Sequence, residues 1–430
     1  MKKFFLILLV FIFLANPVLA IELLDALKQA YNNNKELQAE RENIQLSKED
    51  LAISKSDYLP SATITGSKSK ESTNKLTKQS GGDAAIGDVD PLTTSIKIEQ
   101  ILLDKTRDAQ YQKNEIGIKL SETILLKKEQ DIFYKSIQAY TGLILANEKL
   151  NINSRNLNLL RRQVETDQIR LERGQITISD LAQSESSLAG AEAQFIQSKN
   201  EVITNKLNYE NIIGKISKTN ELNKSLTAIV SLPMSLSNAI NLSKKHNPDI
   251  NIANLKLKQS DKDISIAQSD LSPTATLSFE KSYSDDFSST YDKREKDILK
   301  ATVSWPFYSG GKKRSKIIKN QTIKFRNRLL LENAIKTTET NVGSAWSNLE
   351  SSKSFLKSVR IQVKAAEIAN EGIAAEYERG SRTTLDVIQS NTLLLNAEIS
   401  LANAERDYLL AQYNLLKSIG LLNSTYLGAK

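Results

Sequence analysis

Cysteine is absent from the 430-residue chain, and His246 is its only histidine. Without cysteine there is no disulfide framework, no thiolate metal site, no thiol nucleophile and no lipidated cysteine at the N-terminus. With a single histidine, neither a Ser-His-Asp triad nor a histidine-based metal site has the residues it needs. The composition argues against an enzyme, and no metal or other cofactor is predicted.

Glycine and proline are scarce as well, with 16 and 7 residues, about half their usual combined share. Aromatic residues make up only 6% of the chain, which is few for a protein with several compact cores. Because so few residues favour turns, we expect long, uninterrupted secondary-structure elements.

The charge is dispersed along the chain. There are 58 basic and 50 acidic residues, a formal net charge of +8. The basic excess lies on lysine-rich polar segments, without the interleaved aromatic residues of a surface that follows a nucleic-acid backbone. We predict no nucleic-acid partner.

The N-terminus has the pattern of a Sec signal peptide. Lys2 and Lys3 precede an apolar run at 4–14, and Val18 and Ala20 are small residues where a signal peptidase reads them. Eleven apolar residues are too few to span a bilayer as a helix. We predict that residues 1–20 are removed, that Ile21 begins the mature chain, and that the exported protein carries no lipid anchor.

The rest of the chain repeats itself. A shift of 213 residues aligns Asn34 with Asn247 and Pro60 with Pro273, and a shift of 206 aligns Gly174 with Gly380. Two copies of one unit are predicted at 21–215 and 234–430, with a linker at 216–233.

Each copy is predicted to contain a helix, two strands and a long helical hairpin, in that order. The helices, at about 22–57 and 235–270, end before prolines, which favour extended backbone. Alternating apolar residues predict strands at 61–70, 93–101, 274–283 and 296–304. Long proline-free segments predict hairpins at 104–214 and 312–420 that turn at Gly174 and Gly380.

An apolar heptad runs along each returning helix and predicts packing along the helix length. Its ten positions are Leu181, Leu188, Phe195, Val202 and Tyr209, and in the second copy Val387, Leu394, Leu401, Tyr408 and Leu415.

Four strands per chain are too few to close a membrane barrel, and a membrane sheet cannot keep open edges. A barrel would therefore have to be shared between chains. Two chains would supply eight strands and three would supply twelve, and the strand count alone does not choose between them.

Six short motifs, taken in chain order, resemble the TolC-type outer-membrane efflux protein family. They are Leu27-x-x-Ala30, Asn34-x-Glu36-Leu37, Leu59-Pro60-Ser61, the hairpin turn at 170–180, Trp305-Pro306-Phe307-Tyr308-Ser309-Gly310-Gly311, and the hairpin turn at 377–386. The resemblance implies a mixed α and β membrane protein. Three chains would form a 12-stranded outer-membrane β-barrel continued by a 12-helix periplasmic α-barrel.

The resemblance also implies a function. Such a homotrimer is a passive exit duct in the outer membrane, surrounded by outer-membrane lipid, for efflux or type I secretion. It docks a periplasmic adaptor protein and an inner-membrane transporter. The cargo stays open, because drugs, proteins and metals all leave through ducts of this kind.

Residue roles at the hairpin turns follow from the same resemblance. Asp180, next to Ser179, stands where the family has an aspartate that bonds a tyrosine and an arginine and holds the tube closed. Tyr377 and Arg382 stand at those two positions. Asp386 stands at the position of a first pore-narrowing aspartate ring, and Gln389 replaces the aspartate of the second ring that some members have. Gly174 and Gly380 lie in the turns that dock the adaptor in the family.

One alternative from a different class is a secreted periplasmic coiled-coil adaptor or scaffold. Proteins of that class also have long helical hairpins, but they lack the paired alternating segments found in each half of this chain.

Overall fold

A computed structural model describes residues 22–75, 77–83, 87–216, 222–224, 231–288 and 291–428. The predicted signal peptide at 1–20 and the cleavage point at Ile21 lie outside these residues. The described chain forms two compact units. We name them the helical unit (22–40, 125–249 and 335–428) and the sheet unit (41–124 and 250–334).

The two copies of the repeat have the same element order. The first contains α1 (Leu23–Asn33), α2 (Lys35–Ser56), β1 (Ser61–Lys68), β2 (Leu92–Leu103), α3 (Lys105–Glu172) and α4 (Ile178–Ile212). The second contains α5 (Leu236–His246), α6 (Pro248–Ser269), β3 (Thr274–Asp285), β4 (Lys293–Ser304), α7 (Lys312–Glu378) and α8 (Thr384–Ile419), followed by the short α9 (Ser424–Leu427). The predicted mixed α and β class with a tandem repeat is confirmed.

The single helix predicted at the start of each copy is wrong, because each is divided in two by an asparagine. Asn34 and Asn247 have extended backbone, with ψ of 121° and 124°. Asn34 Oδ1 accepts a hydrogen bond from Leu37 N at 3.2 Å, and Asn247 Oδ1 accepts one from Asp249 N at 2.9 Å. Each asparagine thus ends one helix and caps the next.

The core of the helical unit is built from α1, α3, α4, α5, α7 and α8. Tyr140, Tyr209 and Tyr413 are among its largest fully buried side chains. Gly420 ends α8 with a φ of 95°, and a Cβ there would lie 2.4 Å from the carbonyl oxygen of His246. Only glycine fits that close approach in this backbone conformation.

The heptad residues pack the two arms of each hairpin against one another. In the first hairpin Leu188 and Phe195 contact Leu157, Leu160 and Ala191. In the second, Leu394 and Leu401 contact a buried cluster of Val359, Val363, Ala366 and Ala397.

Part of the linker predicted at 216–233 is described, and it is held against the helices. Tyr140 Oη donates to the carbonyl oxygen of Asn223 at 2.7 Å. Lys224 Nζ pairs with Glu148 at 2.5 Å and with Glu405 at 2.6 Å. These contacts tie the connection between the copies to α3 and α8.

The sheet unit contains one antiparallel sheet of order β1-β2-β3-β4. Ile64 pairs with Ile96, Ile98 with Phe279, and Phe279 with Leu299. The central pairing of β2 with β3 joins the two copies of the repeat. β1 ends two residues before its predicted end, whereas β2, β3 and β4 are longer than predicted.

Within the described residues, no helix combines the length and apolar character needed to cross a membrane.

Candidate functional site

The turns of the two long hairpins have the same construction. Gly174 and Gly380 adopt left-handed φ values of 68° and 79°, which end α3 and α7. Three residues later Thr177 and Thr383 cap the returning helices. The predicted turns therefore lie at the predicted glycines.

Asp180 and Asp386 complete these caps. The Asp180 carboxylate accepts from Thr177 N at 2.9 Å and from Thr177 Oγ1 at 2.8 Å, and Asp386 accepts from Thr383 at 3.0 and 2.9 Å. Each threonine hydroxyl in turn accepts from the aspartate N–H, a reciprocal capping box. The two aspartates thus hold the starts of α4 and α8.

Hydrogen bonds from the capping threonines hold the pKa of Asp180 and of Asp386 below the ordinary value. The bond from the threonine backbone N–H has the larger effect, and the bond from its hydroxyl the next. A carboxyl group with a lowered pKa adds stability above its ordinary pKa of about 3.9. That stability is lost as the pH falls through the lowered pKa. Both caps are therefore intact at neutral pH.

Arg382 and Tyr377 have partners other than Asp180 in the described chain. Arg382 Nε donates to Glu376 at 2.7 Å, an ion pair within the second hairpin. The Tyr377 hydroxyl donates to Asp167 and lies 3.2 Å from Thr384 Oγ1. The link from Asp180 to Tyr377 and Arg382 is not formed inside one chain. Ser179 and Gln389 are exposed.

Asp167 is the centre of a buried polar cluster that the sequence pattern does not single out. Its carboxylate is fully buried and accepts from Tyr377, from Ser184 Oγ at 2.5 Å, and from Gln163 Nε2 at 3.0 and 3.1 Å. We call Gln163, Asp167, Ser184, Tyr377 and Thr384 the Asp167 cluster. It joins α3, α4, α7 and α8.

A cation lies beside the cluster. The Arg170 guanidinium stacks over the Tyr377 ring, 4.1 Å from its centroid, and both of its terminal nitrogens lie 3.3 Å from the Tyr377 carbonyl oxygen. Arg170 therefore fixes the ring whose hydroxyl reaches Asp167.

Burial, and after it the hydrogen bond to Asp167, raises the pKa of the Tyr377 hydroxyl. A raised phenol pKa means that the neutral donor is favoured in the fold. Its contribution to stability is complete below the ordinary pKa of about 10 and is lost only as the pH rises through the raised value. The link between Tyr377 and Asp167 therefore persists across the physiological pH range.

One feature of the sequence could have identified Asp167, namely its place in the apolar heptad of α3 that faces α4. Leu160, seven residues earlier, is buried against α4. Asp167 occupies the next seam position, where an apolar residue is expected. A carboxylate at such a position requires hydrogen-bond partners, because an unpaired buried charge is costly.

The sheet has two chemically different faces. Residues paired across neighbouring strands point to the same side. One side is mainly apolar and carries Ala62, Ile64, Ile96, Ile98, Leu277, Phe279, Leu299, Ala301 and Val303. The opposite side is mainly polar and carries Ser61, Thr63, Thr65, Ser95, Lys97, Glu99, Thr276, Ser278, Glu280, Lys300 and Thr302.

The apolar face is open to its surroundings. Ile64 and Leu299 are each 73% exposed and Val303 is 72% exposed. Polar residues interrupt this face at Gln100, beside Leu277, and nearer the loop end at Lys281, Asp297 and Glu295. Lys281 and Asp297 lie 3.8 Å apart as an ion pair. A broad exposed apolar surface of this kind requires an apolar environment or a partner.

The family model described as "Outer membrane efflux protein" matches residues 26–215 and 239–421. The chain is 26% identical over 407 residues to the outer membrane efflux protein BepC of Brucella suis, covering 94% of this chain and 86% of BepC. It is 21% identical to the alkaline protease secretion protein AprF of Pseudomonas aeruginosa, covering 95% of this chain and 86% of AprF.

Solved structures share the fold. The crystal structure of the Campylobacter jejuni CmeC outer membrane channel superposes with a TM-score of 0.81, covering 93% of this chain and 85% of CmeC. Since the two sequences are 16% identical, this likeness concerns the fold.

Proposed function

The chain belongs to the outer membrane efflux protein family, and from this premise we propose that it is a passive, homotrimeric exit duct of the outer membrane. The observation that carries the proposal is the four-stranded sheet with one apolar face, one polar face and two unpaired edge strands. The alternative, a periplasmic coiled-coil scaffold, does not require a sheet with an exposed apolar face and open edges.

The edges of the sheet support sharing between copies. Among the described strands, β1 and β4 each have a neighbour on one side only, so a row of backbone N–H and C=O groups on the other side has no strand partner there. In a bilayer such groups must be paired by further strands. Three copies would pair β4 of one with β1 of the next and close twelve strands, with the apolar face toward lipid and the polar face toward the lumen.

The helical turns are the proposed docking site. Apart from the glycine and its chain neighbours, no atom of the described residues lies within 4 Å of a Cβ added at Gly174 or Gly380, so space for a partner is open at both turns. In this role a periplasmic adaptor, coupled to an inner-membrane transporter, would bind them. The names of BepC and AprF indicate efflux and alkaline protease secretion, respectively, for those proteins. The proposed duct is compatible with either activity.

The gate is proposed to lie at the same turns. Within each chain the Asp167 cluster ties the two hairpins together close to their turns. Between chains, Asp180 and Arg382 would add links of the kind that the family resemblance implies, and Asp386 would narrow the passage. Release of the cluster would let the hairpins separate and the passage widen.

Surface labelling with a bulky, impermeant polyethylene-glycol maleimide tests the membrane placement. The chain has no cysteine, so Gly82→Cys in the β1–β2 loop and Ser288→Cys in the β3–β4 loop are unique reporters. Both should react on intact cells, because the loops are expected outside the outer membrane. Ser315→Cys, at an exposed position in the first turn of α7, is the matched control and should react only after the outer membrane is permeabilised.

The same labelling distinguishes the alternative. If all three cysteines react only after permeabilisation, and the protein is released from membranes without detergent, the chain is a periplasmic scaffold and the duct proposal is wrong.

A further inference from the structure

Three aromatic side chains stand exposed directly after β4. Trp305 is 67% exposed, Phe307 is 85% exposed and Tyr308 is 80% exposed. The indole is nevertheless held in place, because its Nε1 donates to the carbonyl oxygen of Leu271 at 3.1 Å. These residues follow Val303 at the end of the apolar sheet face. Aromatic side chains in such a position are typical of the boundary between hydrocarbon and headgroups.

A cluster of cations follows immediately. Lys312, Lys313, Arg314 and Lys316 lie within five residues at the start of α7. Lys316 pairs with Asp270 at 2.5 Å, and Lys313 donates to the Asp270 carbonyl oxygen. Lys312 and Arg314 are exposed, and neither has an anionic partner among the residues that the structure describes. We call Trp305, Phe307, Tyr308, Lys312 and Arg314 the basic–aromatic patch.

The first copy of the repeat provides an internal comparison. The segment after Glu99 contains no aromatic residue until Tyr111, and Asp104 and Asp108 offset Lys105 and Arg107. Arg107 is also engaged, since it donates to the carbonyl oxygens of Asp57 and Ile101 at 3.1 and 3.3 Å. Three exposed aromatic rings therefore follow β4, whereas residues 104–110, directly after β2, contain no aromatic residue, so the patch is not a requirement of the fold.

We propose that the basic–aromatic patch binds anionic phospholipid headgroups in the leaflet that faces the periplasm. The inference rests on the proposed function, because it requires the apolar sheet face to lie in a bilayer. The rings insert at the level of the acyl carbonyls, and Lys312 and Arg314 contact the phosphates of the adjoining headgroups. The patch continues the apolar face, and its charge is complementary to an anionic lipid rather than to a zwitterionic one.

The expected preference is moderate. Each basic residue close to an anionic membrane surface favours binding by roughly fivefold at physiological salt. Two free cations that share a few neighbouring lipids should enrich anionic over zwitterionic phospholipid by about threefold to tenfold. The preference should weaken as salt is raised, because the charges are exposed to solvent.

Quenching of Trp305 fluorescence by brominated lipid measures this enrichment directly. The chain has two tryptophans, so Trp346→Phe leaves Trp305 as the single reporter in the full-length mature protein. The protein is reconstituted in bilayers of phosphatidylcholine and phosphatidylglycerol at one fixed ratio. Bromine is carried by the acyl chains of either lipid, so the two samples differ only in which headgroup is marked.

Quenching per brominated molecule should be about threefold to tenfold stronger when phosphatidylglycerol carries the bromine. Lys312→Gln with Arg314→Gln should bring the ratio to about one while quenching by brominated phosphatidylcholine persists. The matched control, Lys256→Gln with Lys258→Gln, removes the same charge from exposed positions of α6 and should keep the ratio of the parent protein. Those lysines lie about 16–20 Å of helix before the end of α6, beyond the range of screened attraction.

The outcomes separate the two proposals. Equal quenching by both lipids in the parent protein would overturn the anionic preference and leave the duct intact. An equal loss of the ratio in both double variants would show a nonspecific charge effect and also overturn the patch. Absence of quenching by either lipid would mean that Trp305 is not at a bilayer, which contradicts the proposed function itself.

Discussion

Single channels of an Asp167→Ala variant should conduct far more current in planar bilayers than those of the parent protein. Asp167 accepts hydrogen bonds from α3, α4 and α7 at once, and a hydrogen bond to a buried charged group contributes about 1.5–3 kcal/mol. Three copies together would lose at least about 4.5 kcal/mol from the closed state, a population shift of roughly a thousandfold.

Three further variants sharpen this prediction. Tyr377→Phe removes one hydroxyl from the same cluster and should open the channel less. Adding it to Asp167→Ala should change little, because the two residues share one link. Thr166→Ala is the matched control, since its hydroxyl donates within α3 to the carbonyl oxygen of Arg162. All variants should keep the oligomer on unheated gels.

The contrary result is equally specific. If Asp167→Ala conducts like the parent protein while Asp180→Ala or Arg382→Ser opens it, the closed state is held by links between chains and the Asp167 cluster is only structural.

Leu299→Arg should nearly abolish assembly into the outer membrane. Leu299 lies on the apolar face of β4, and an arginine at the bilayer midplane costs about 2–4 kcal/mol per copy. In a trimer the cost reaches about 6–12 kcal/mol, comparable with the whole stability of a domain. The measurement is the amount of heat-modifiable protein in purified outer membranes.

Thr302→Arg is the control for Leu299→Arg, because it places the same side chain on the opposite face of the same strand. That face already carries Lys300 beside Ser278. Assembly of this variant should stay near the parent level. Equal assembly of both variants would mean that the apolar face does not contact lipid.

Much of the fold follows from local signals in the sequence. Each hairpin turn is predictable because its glycine ends one helix and its threonine and aspartate, three residues apart, cap the next. The prolines after α2 and α6 likewise end helical structure locally. The heptads identify the seams because their period is that of packed helices. The division at Asn247 also has a local signal, since Pro248 follows it and disfavours helix at the preceding residue. At Asn34 a lysine follows instead, and only the asparagine itself hints at the break.

Local sequence signals do not predict the contacts of the Asp167 cluster. Tyr377 and Asp167 are 210 residues apart, and their meeting depends on how four helices converge. The family resemblance identifies Tyr377 as a linking residue, but Asp167 becomes visible only when the buried seam position and its donors are seen together. Sequence signals likewise do not show that Lys312 and Arg314 lack an anionic partner among the described residues, because Lys316 in the same segment has one.

The central claim is that three copies of the sheet close one barrel through β1 and β4. Ser61→Cys and Ser304→Cys in one chain mark the same end of the two edge strands. Ser61 is level with Lys300 across the sheet, so within a chain the two cysteines are separated by three strand spacings, about 14 Å, and by a further four residues along β4. A bifunctional thiol reagent shorter than that distance should therefore link copies, and denaturing gels should show dimers and trimers and nothing larger. A ladder that continues beyond three, or monomer alone, would contradict the account.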